Sequence, residues 1–558
     1  MSVVSSRISS VSTLLKGTGV RSQIIKQSNR VYFKLPNDIK KILCDFETGS
    51  GIKEYKNLIS LLREGVIKDS DLTEFLKEAR ECVSSLGIEH ELFIQAILQL
   101  EWTNRSPEVI STYKQFLQDL VCMQLCHLKA VINHLVQLFK PVKDNNVEHE
   151  VEEIKPEDIE RLNHIHDILH KILELIPMSS KLLLQSLGSQ FPYIKHGTYT
   201  HKIYIFALLH ILNYAPQFRT DILSLIINRL TVLDIDVPRK KITDDDEEDD
   251  KIDDNIDSNK TTDGDDDRIK LDIDADKTII DHPSARTLDT CMELFLKYMH
   301  EFCFVNDDLK LGSLRILYID ILRLFETVIL STHVTLYVQY IMFYICSFKP
   351  IVAENFTDWL WCKVIDLNAA PVLRQTAVYY ISSLLTTASY ASHELVRHTM
   401  STLTKWLHNY IGMQEYSECV MMTDDDAKAH IVFYSVCQAF FYLFNARYKE
   451  FVTSNNGIIF LQELNISSIV ACQLNPLQIC TTEIVYEFAN ITSTYQLAYC
   501  YTIIETNERS ELPIFGRKRR LLVLLPRFFP FGSCLLRQSR QRLSPLFRNN
   551  IMNAESDK

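Results

Sequence analysis

The stretch PEDIERLNHIHDILHKILELI, residues 156–176, indicates the fold of this chain most clearly. It opens with a proline at a position where helices begin, and two acids follow in the first turn. Two apolar stripes then follow the helical period. The first consists of Ile159, Leu162, His166, Leu169, Leu173 and Ile176, and the second of Ile165, Ile168, Ile172 and Leu175. Because a helix that is apolar on two faces packs between neighbours on both sides, the stretch predicts stacked helix pairs.

Similar helix signals occur on both sides of this stretch. A capping-box spacing at Asp71–Glu74 predicts a helix that ends at Gly87, and Ser106–Glu108 predicts the start of the next one. Thr220 and Ser313 precede two further runs with apolar residues at spacings of three and four. No strict sequence repeat is visible, which favours divergent HEAT-like pairs over tetratricopeptide or ankyrin units.

Glycine and proline are scarce in this chain. Its 558 residues include 14 Gly and 16 Pro, whereas average usage is about 7% and 5%. Strand-rich and nucleotide-binding folds need more turn residues and more glycines at phosphate contacts than this. The expected fold class is therefore all-α, an α-solenoid of HEAT-like helix pairs interrupted by a disordered acidic insertion.

The charge is concentrated in one segment. The net charge is −12, but residues 244–281 alone carry 18 acids and five bases. Such a run repels itself and buries too little apolar surface to fold alone. It suits either an inert linker or a mimic of nucleic acid that occupies a basic surface. The expected organisation is a disordered basic serine-rich tail (1–30), N-terminal HEAT-like repeats (31–240), an acidic disordered loop (241–284), C-terminal HEAT-like repeats (285–510) and a basic C-terminal segment (511–558).

Both ends of the chain are basic. Residues 1–30 contain eight serines, five bases and no acid, a composition that also suits a mitochondrial transit peptide. Residues 512–554 contain nine bases and no acid. Within them, a candidate nuclear localisation signal or phosphate-binding patch consists of Arg517, Lys518, Arg519 and Arg520. Because an acidic insertion lies between the basic ends, we do not expect DNA binding as the main role.

Cysteine spacing and hydropathy indicate the cellular compartment of the protein. The 14 cysteines are scattered without a CxxC pair, which indicates a reducing compartment, cytosol or nucleus. The uncharged run 327–348 contains too many polar residues to span a bilayer, so we interpret it as two buried helical pieces and expect no membrane partner.

Catalytic motifs are weak. His166 and His170 have the spacing of a zincin motif, but Asp167 is one methylene shorter than the glutamate that such a site needs, and His166 lies on a packing stripe. Cys122 and Cys126 with His127 are interpreted as core residues. No phosphate-binding loop, nucleophile elbow or kinase signature occurs. We therefore expect no enzyme activity, no cofactor and no metal.

Regulatory residues are easier to suggest. Thr243 and Thr423 each precede three aspartates and are candidate sites for an acid-directed kinase. A serine cluster around 181–184 is either a helix cap with a solvent-facing side or a docking surface that phosphate would disrupt. It consists of Ser179, Ser180, Ser186 and Ser189.

Several longer stretches resemble a known family. They are 191–193 (FPY), 233–237 (LDIDV), 342–348 (MFYICSF), 360–361 (LW), 374–377 (RQTA), 472–480 (CQLNPLQIC), 494–497 (TYQL) and 501–505 (YTIIE). In order and spacing they resemble the RNA polymerase I-specific transcription initiation factors of the TIF-IA family over about residues 100–545. Phe528–Phe531 is similar to a late block of that family, although Gly532-Ser533 replaces its usual Asp-Pro.

The resemblance implies a nuclear and nucleolar HEAT-repeat bridging factor. Members of the family bind RNA polymerase I near its stalk and connect it to promoter-bound initiation factors at ribosomal RNA genes, under the control of protein kinases. It implies that the serine cluster faces the polymerase and that 241–284 is the family's disordered loop. A basic contact for promoter factors is not transferred, because residues 385–389 contain no base. The alternative is a generic HEAT-repeat nuclear scaffold or transport adaptor.

Overall fold

The computed structural model describes residues 35–36, 38–64, 67–141, 153–238, 282–332, 335–415, 428–511, 525, 529–532 and 536–548. The chain divides into two compact units, the first ending at Phe218 and the second beginning at Arg219. Each unit is built from α-helices, and the expectation of an all-α fold is confirmed for the described residues.

Nine α-helices make up the described part of the first unit. They are α1 (Ile39–Glu47), α2 (Ile52–Glu64), α3 (Asp69–Glu81), α4 (Glu91–Leu98), α5 (Pro107–Met123), α6 (Leu128–Gln137), α7 (Pro156–Leu175), α8 (Ser179–Ser189) and α9 (Thr198–Tyr214). Short 3-10 turns stand at Val83–Ser85, Ile88–His90, Leu125–His127 and Pro216–Phe218.

These nine helices form two layers. In one layer α1, α3, α5, α7 and α9 each pack on the next, and in the other α2, α4, α6 and α8 do the same. Helices α5 and α6, α6 and α7, and α7 and α8 also pack across the layers. Helix α7 can pack against neighbours in both layers because residues of both of its apolar stripes are buried, among them Leu162, Ile165 and Ile168. The prediction of stacked helix pairs is confirmed in this unit.

Two local predictions were wrong here. Helix α3 begins at Asp69 and ends at Glu81, not at a capping box on Asp71 and at Gly87. The carboxylate of Asp69 accepts hydrogen bonds from Arg105 and from the Ser106 amide, so it ties the start of α3 to the start of α5 instead. Cys122 and Cys126 are exposed rather than in the core. They lie where α5 ends, so their helical spacing did not place them on its buried face.

The second unit begins with α10 and contains a small hairpin. Its helices are α10 (Arg219–Asp236), α11 (Pro283–Cys303), α12 (Leu311–Leu324), α13 (Tyr340–Cys346), α14 (Pro350–Ile365), α15 (Pro371–Thr387), α16 (His393–Glu415), α17 (Ile431–Arg447), α18 (Lys449–Val452), α19 (Asn455–Glu463), α20 (Ile466–Val470), α21 (Pro476–Ile479), α22 (Thr482–Thr494), α23 (Tyr501–Glu511) and α24 (Arg537–Leu543). Strands β1 (Phe304–Val305) and β2 (Asp308–Leu309) are antiparallel. Asn306 and Asp307 between them have positive φ, as a tight hairpin turn requires.

Helices α14, α15, α17 and α22 pack on one another in that order and form the centre of this unit. Helix α12 continues as a π-helical turn at Phe325–Ile329, and every residue of α13 is buried. The uncharged run 327–348 therefore supplies buried helical segments, as expected. None of the helices in the described part of the chain is long and apolar enough to cross a bilayer.

The described part of the C-terminal segment packs back onto the second unit. Helix α24 lies on α11, where the buried Asp289 accepts hydrogen bonds from the amides of Gln538 and Ser539 and from the Ser539 hydroxyl. The Phe531 ring is buried against Phe343 and Tyr380, with centroids 5.1 and 5.5 Å apart.

Helix α10 belongs to the second unit although it precedes the acidic stretch. It packs on α11 and α12, and Ser284 Oγ donates a 2.5 Å hydrogen bond to Asp236 Oδ2. The chain thus leaves α10 and enters α11 at neighbouring points. The disorder predicted for the tail at 1–30 and for the acidic loop concerns residues outside those described, apart from His282–Ser284, which lead into and begin α11.

Candidate functional site

The predicted serine cluster forms helix α8 of the first unit. This helix begins directly after Pro177 and Met178 and packs on α6 and α7. Tyr204 of α9 donates a 2.7 Å hydrogen bond to the carbonyl oxygen of Leu187, which fixes the last turn. The structure therefore brings all four serines onto one short helix, but on different sides of it.

Two of the four serines face the interior. Ser179 and Ser186 are 0% and 2% exposed, and neither hydroxyl has a hydrogen-bond partner among the described residues. A phosphoryl group on either would need the helix to leave its neighbours, because a buried charge without a partner is costly. In this conformation neither hydroxyl is accessible to a kinase.

The other two serines are accessible. Ser180 is half-buried and Ser189 is exposed, where its hydroxyl donates a 3.1 Å hydrogen bond to the Ser186 carbonyl. Lys181 and Gln185 are exposed on the same helix. The outer side of α8 is thus polar, with a base next to Ser180.

Exposed apolar residues adjoin both ends of α8. Met178 precedes the helix and is 69% exposed, and Tyr193 follows it and is 61% exposed. Residues 175–218 contain no acid, while Lys181, Lys195 and Lys202 lie among them. We call this surface, from Met178 to Lys195, the α8 surface. It combines apolar anchors with positive charge, a combination suited to a macromolecular partner with an acidic face.

The two histidines with zincin-like spacing, His166 and His170, lie in different environments. His166 is buried, its Nδ1 lies 3.0 Å from the Tyr214 hydroxyl, and its ring meets that of His210 edge-on at 4.3 Å. Burial, reinforced by His210, lowers the pKa of His166 to about 3, so the ring is neutral. His170 is half-exposed and lies 3.3 Å from Glu174. No group of three or more His, Cys, Asp or Glu side chains suited to a metal occurs among the residues that the structure covers.

The remaining candidates lie outside the described residues. These are the kinase candidates Thr243 and Thr423 and the basic cluster Arg517, Lys518, Arg519 and Arg520. Two bases of the C-terminal segment that are described make intramolecular ion pairs. Arg542 bonds to Glu293 at 2.7 Å, and Arg548 to Glu450 at 2.5 Å.

Sequence reasoning missed one exposed surface in the first unit. Ile88, Leu92, Met123 and Leu125 all lie in or next to the short turns between helices, and all are largely exposed. The available signal was the position of Met123 and Leu125 beyond the last apolar-periodic residues of α5, where helix periodicity no longer predicts burial.

Comparison with known proteins gives consistent results. A family model described as "RNA polymerase I specific transcription initiation factor RRN3" matches residues 35–553. The mouse protein named RNA polymerase I-specific transcription initiation factor RRN3 is 33% identical over 91% of this chain and 80% of its own length. The protein of that name from Schizosaccharomyces pombe is 25% identical over 83% of this chain and 77% of its own.

A solved structure shows the same fold. The crystal structure of RNA polymerase I transcription initiation factor Rrn3 matches with a TM-score of 0.71 at 21% identity, over 91% of this chain and 97% of the other. This agrees with the predicted HEAT-like helix pairs. The family is one of transcription initiation factors and not of enzymes, as expected from the lack of a catalytic motif. The chain belongs to the RNA polymerase I specific transcription initiation factor RRN3 family.

Proposed function

We propose that this protein is an RNA polymerase I transcription initiation factor of the nucleus and nucleolus. It binds the polymerase, in the region of its stalk, and bridges it to promoter-bound factors at ribosomal RNA genes. Membership of the family, shown over nearly the whole chain, is the observation that carries this proposal.

The α8 surface is the proposed polymerase contact. Its apolar residues Met178 and Tyr193 supply buried area on binding, and its lysines supply attraction to an acidic partner. Phosphorylation at Ser180 or Ser189 places about −1.5 to −2 charges on a surface that has no acid of its own. Control by kinases then works by removing the attraction, with the fold unchanged.

The first experiment tests binding. Purified full-length protein is expected to co-sediment with purified RNA polymerase I on a gradient, and less so as salt rises, because the contact is partly electrostatic. Co-sedimentation with nuclear import substrates instead of polymerase would favour the transport-adaptor alternative.

The second experiment tests the α8 surface. We expect the double change Ser180→Asp and Ser189→Asp to weaken polymerase binding at least tenfold without altering helicity. Ser70→Asp with Ser111→Asp is the matched control, since both serines are exposed, on α3 and α5, and the pair receives the same two charges. Equal affinity of the double variant and the control would remove α8 from the interface.

Localisation and the kinase candidates can be tested in cells. Replacing Arg517, Lys518, Arg519 and Arg520 by alanine is expected to move a fluorescent fusion of the full chain from the nucleus to the cytoplasm. Thr243→Ala and Thr423→Ala are expected to remove phosphate incorporation by an acid-directed kinase, measured by mass spectrometry. Unchanged localisation and unchanged phosphate would contradict these two assignments.

A further inference from the structure

Four large aliphatic side chains form an exposed edge of the first unit. Ile88 is 70% exposed, Leu92 55%, Met123 62% and Leu125 55%. Ile88 and Leu92 lie in and just after the 3-10 turn that enters α4, and Met123 and Leu125 lie between α5 and α6. We call these four residues the apolar edge. Single exposed aliphatic residues are common, but four on two neighbouring segments make a candidate interaction site.

Two hydrogen-bonding side chains hold the halves of the apolar edge together. Gln124, between Met123 and Leu125, donates a 2.8 Å hydrogen bond to the Ser84 carbonyl. The buried His127 ring places its Nε2 3.1 Å from the carbonyl oxygens of Leu86 and Gly87. The edge is therefore preformed, and a ligand need not order it on binding.

The charge around the apolar edge is mainly negative. The segments that form it, 82–98 and 122–128, contain Glu89 and Glu91 but no lysine or arginine. Both glutamates are exposed, as is Glu81 just before the first segment, and one exposed base, Lys129, follows the second segment. A ligand for this edge therefore gains from positive charge beside its apolar residues.

The spacing of the edge suits a helix. Its two halves belong to successive helix pairs, and packed helices are about 8 to 10 Å apart. Residues i and i+7 of an α-helix are separated by about 10.5 Å along its axis. One apolar stripe at i, i+3, i+4 and i+7 can thus reach both halves, and the flexible Met123 can adapt to its side chains.

We propose that the apolar edge docks an amphipathic helix of a partner protein, with lysine or arginine residues bordering its apolar stripe. This surface is distinct from the α8 surface and carries no role in the function proposed above. It gives the first unit a second protein contact, whose affinity comes from aliphatic burial and whose preference for bases comes from the glutamates.

Native thiols provide a direct readout. Cys122 and Cys126 are exposed next to Met123 and Leu125 in the chain, so a docked helix is expected to cover them, whereas Cys362 is exposed in the second unit. The probe is an 18-residue peptide with leucine at the helical stripe positions and lysine bordering them. We expect it to slow maleimide labelling of Cys122 and Cys126 at least fivefold in the full-length protein, with labelling of Cys362 unchanged.

Variants and control peptides test the two parts of the proposal separately. Met123→Glu with Leu125→Glu is expected to weaken peptide binding at least tenfold by fluorescence anisotropy. Leu367→Glu, at an exposed apolar residue of the second unit, is expected to leave it unchanged. Circular dichroism and thermal melting confirm that the variants fold. A peptide with the same composition but scrambled leucines, and one with glutamate in place of lysine, should bind at least tenfold more weakly.

Three results would overturn the proposal. They are no saturable binding of the lysine peptide to the wild-type chain, equal binding of the glutamate peptide, and equal slowing of labelling at Cys122, Cys126 and Cys362. Equal loss of binding in the Leu367→Glu variant would also overturn it, because the peptide would then be adhering to exposed apolar residues in general.

Discussion

At the scale of single residues, two buried carboxylates join segments that are distant in the chain. Asp234 accepts hydrogen bonds from three consecutive amides, those of Leu336, Tyr337 and Val338, at 2.9 to 3.1 Å. Asp289 accepts hydrogen bonds from two consecutive amides at the start of α24, those of Gln538 and Ser539, and from the Ser539 hydroxyl. Each satisfies backbone donors that would otherwise be buried without a partner, and such groups are costly to leave unpaired.

Asp289→Ala is expected to lower the free energy of unfolding by about 3 kcal/mol, because two amides and a hydroxyl lose a charged acceptor. Urea unfolding measures the loss, and limited proteolysis should cut residues 512–548 sooner. Glu301→Ala is the control on the same helix, since its exposed pair with Lys297 contributes little. Equal stability of the two variants would mean that Asp289 does not hold α24.

His166 predicts a pH dependence of stability. Its pKa is about 3 in the folded state, below the usual 6.5, so the unfolded chain binds the proton more readily. The stabilising effect of the neutral ring is complete above pH 6.5 and declines as the pH falls toward 3. From pH 7 to pH 5 we expect His166 to account for a loss of about 2 kcal/mol, which His166→Phe should abolish.

Tyr214→Phe is the control for that measurement. It removes the hydroxyl that lies 3.0 Å from His166 Nδ1 but keeps the titrating ring. It should therefore lower stability at both pH values by a similar amount and keep the slope. If His166→Phe and wild type lose the same free energy on acidification, burial of this ring does not set the pH response.

At the scale of elements, α8 shows how packing sorts residues of one type. Its four serines are chemically alike, yet Ser179 and Ser186 are buried where α8 packs into the unit, and Ser189 lies in solvent. The difference arises because the helix turns 100° per residue, so that positions seven apart share a face and positions ten apart do not.

The stability of serine variants should follow this sorting. Ser186→Asp places an unpaired charge in the interior and is expected to lower the free energy of unfolding by about 3 kcal/mol or more, whereas Ser189→Asp should change it by less than about 0.5 kcal/mol. Ser186→Ala should be close to neutral, because the hydroxyl has no partner to lose. Chemical denaturation of all three variants measures this, and a stable Ser186→Asp would show that α8 is not packed as described.

At the scale of the whole molecule, the acidic stretch joins two helices that already touch. Helices α10 and α11 pack on each other, and Ser284 bonds to Asp236 across 48 residues of sequence. Closing a long loop between fixed points costs little more than closing a shorter one. The stability of the second unit should therefore depend little on the length of this segment.

Deleting residues 244–267 should leave the melting temperature within about 2 °C of the wild-type value. Differential scanning calorimetry of the full chain measures it. Asp236→Ala, which removes the acceptor of Ser284, serves as a comparison and should have the larger effect. A fall of many degrees on deletion would mean that the segment contributes to the packing of this unit.

The sequence by itself was enough to determine the helical class, the starts of α5 and α7 and the two-sided packing of α7, because start signals and apolar stripes depend only on residues a few positions apart. The family could also be recognised from the sequence, because the resemblance rests on the order and spacing of short stretches of residues. The tertiary structure alone decided which serines of α8 are accessible, that Cys122 and Cys126 are exposed, and that Asp289 bonds to Ser539 across 250 positions. These exposures and this hydrogen bond depend on which helices are neighbours in space. Contacts between distant parts of the chain produce no periodic pattern in the sequence.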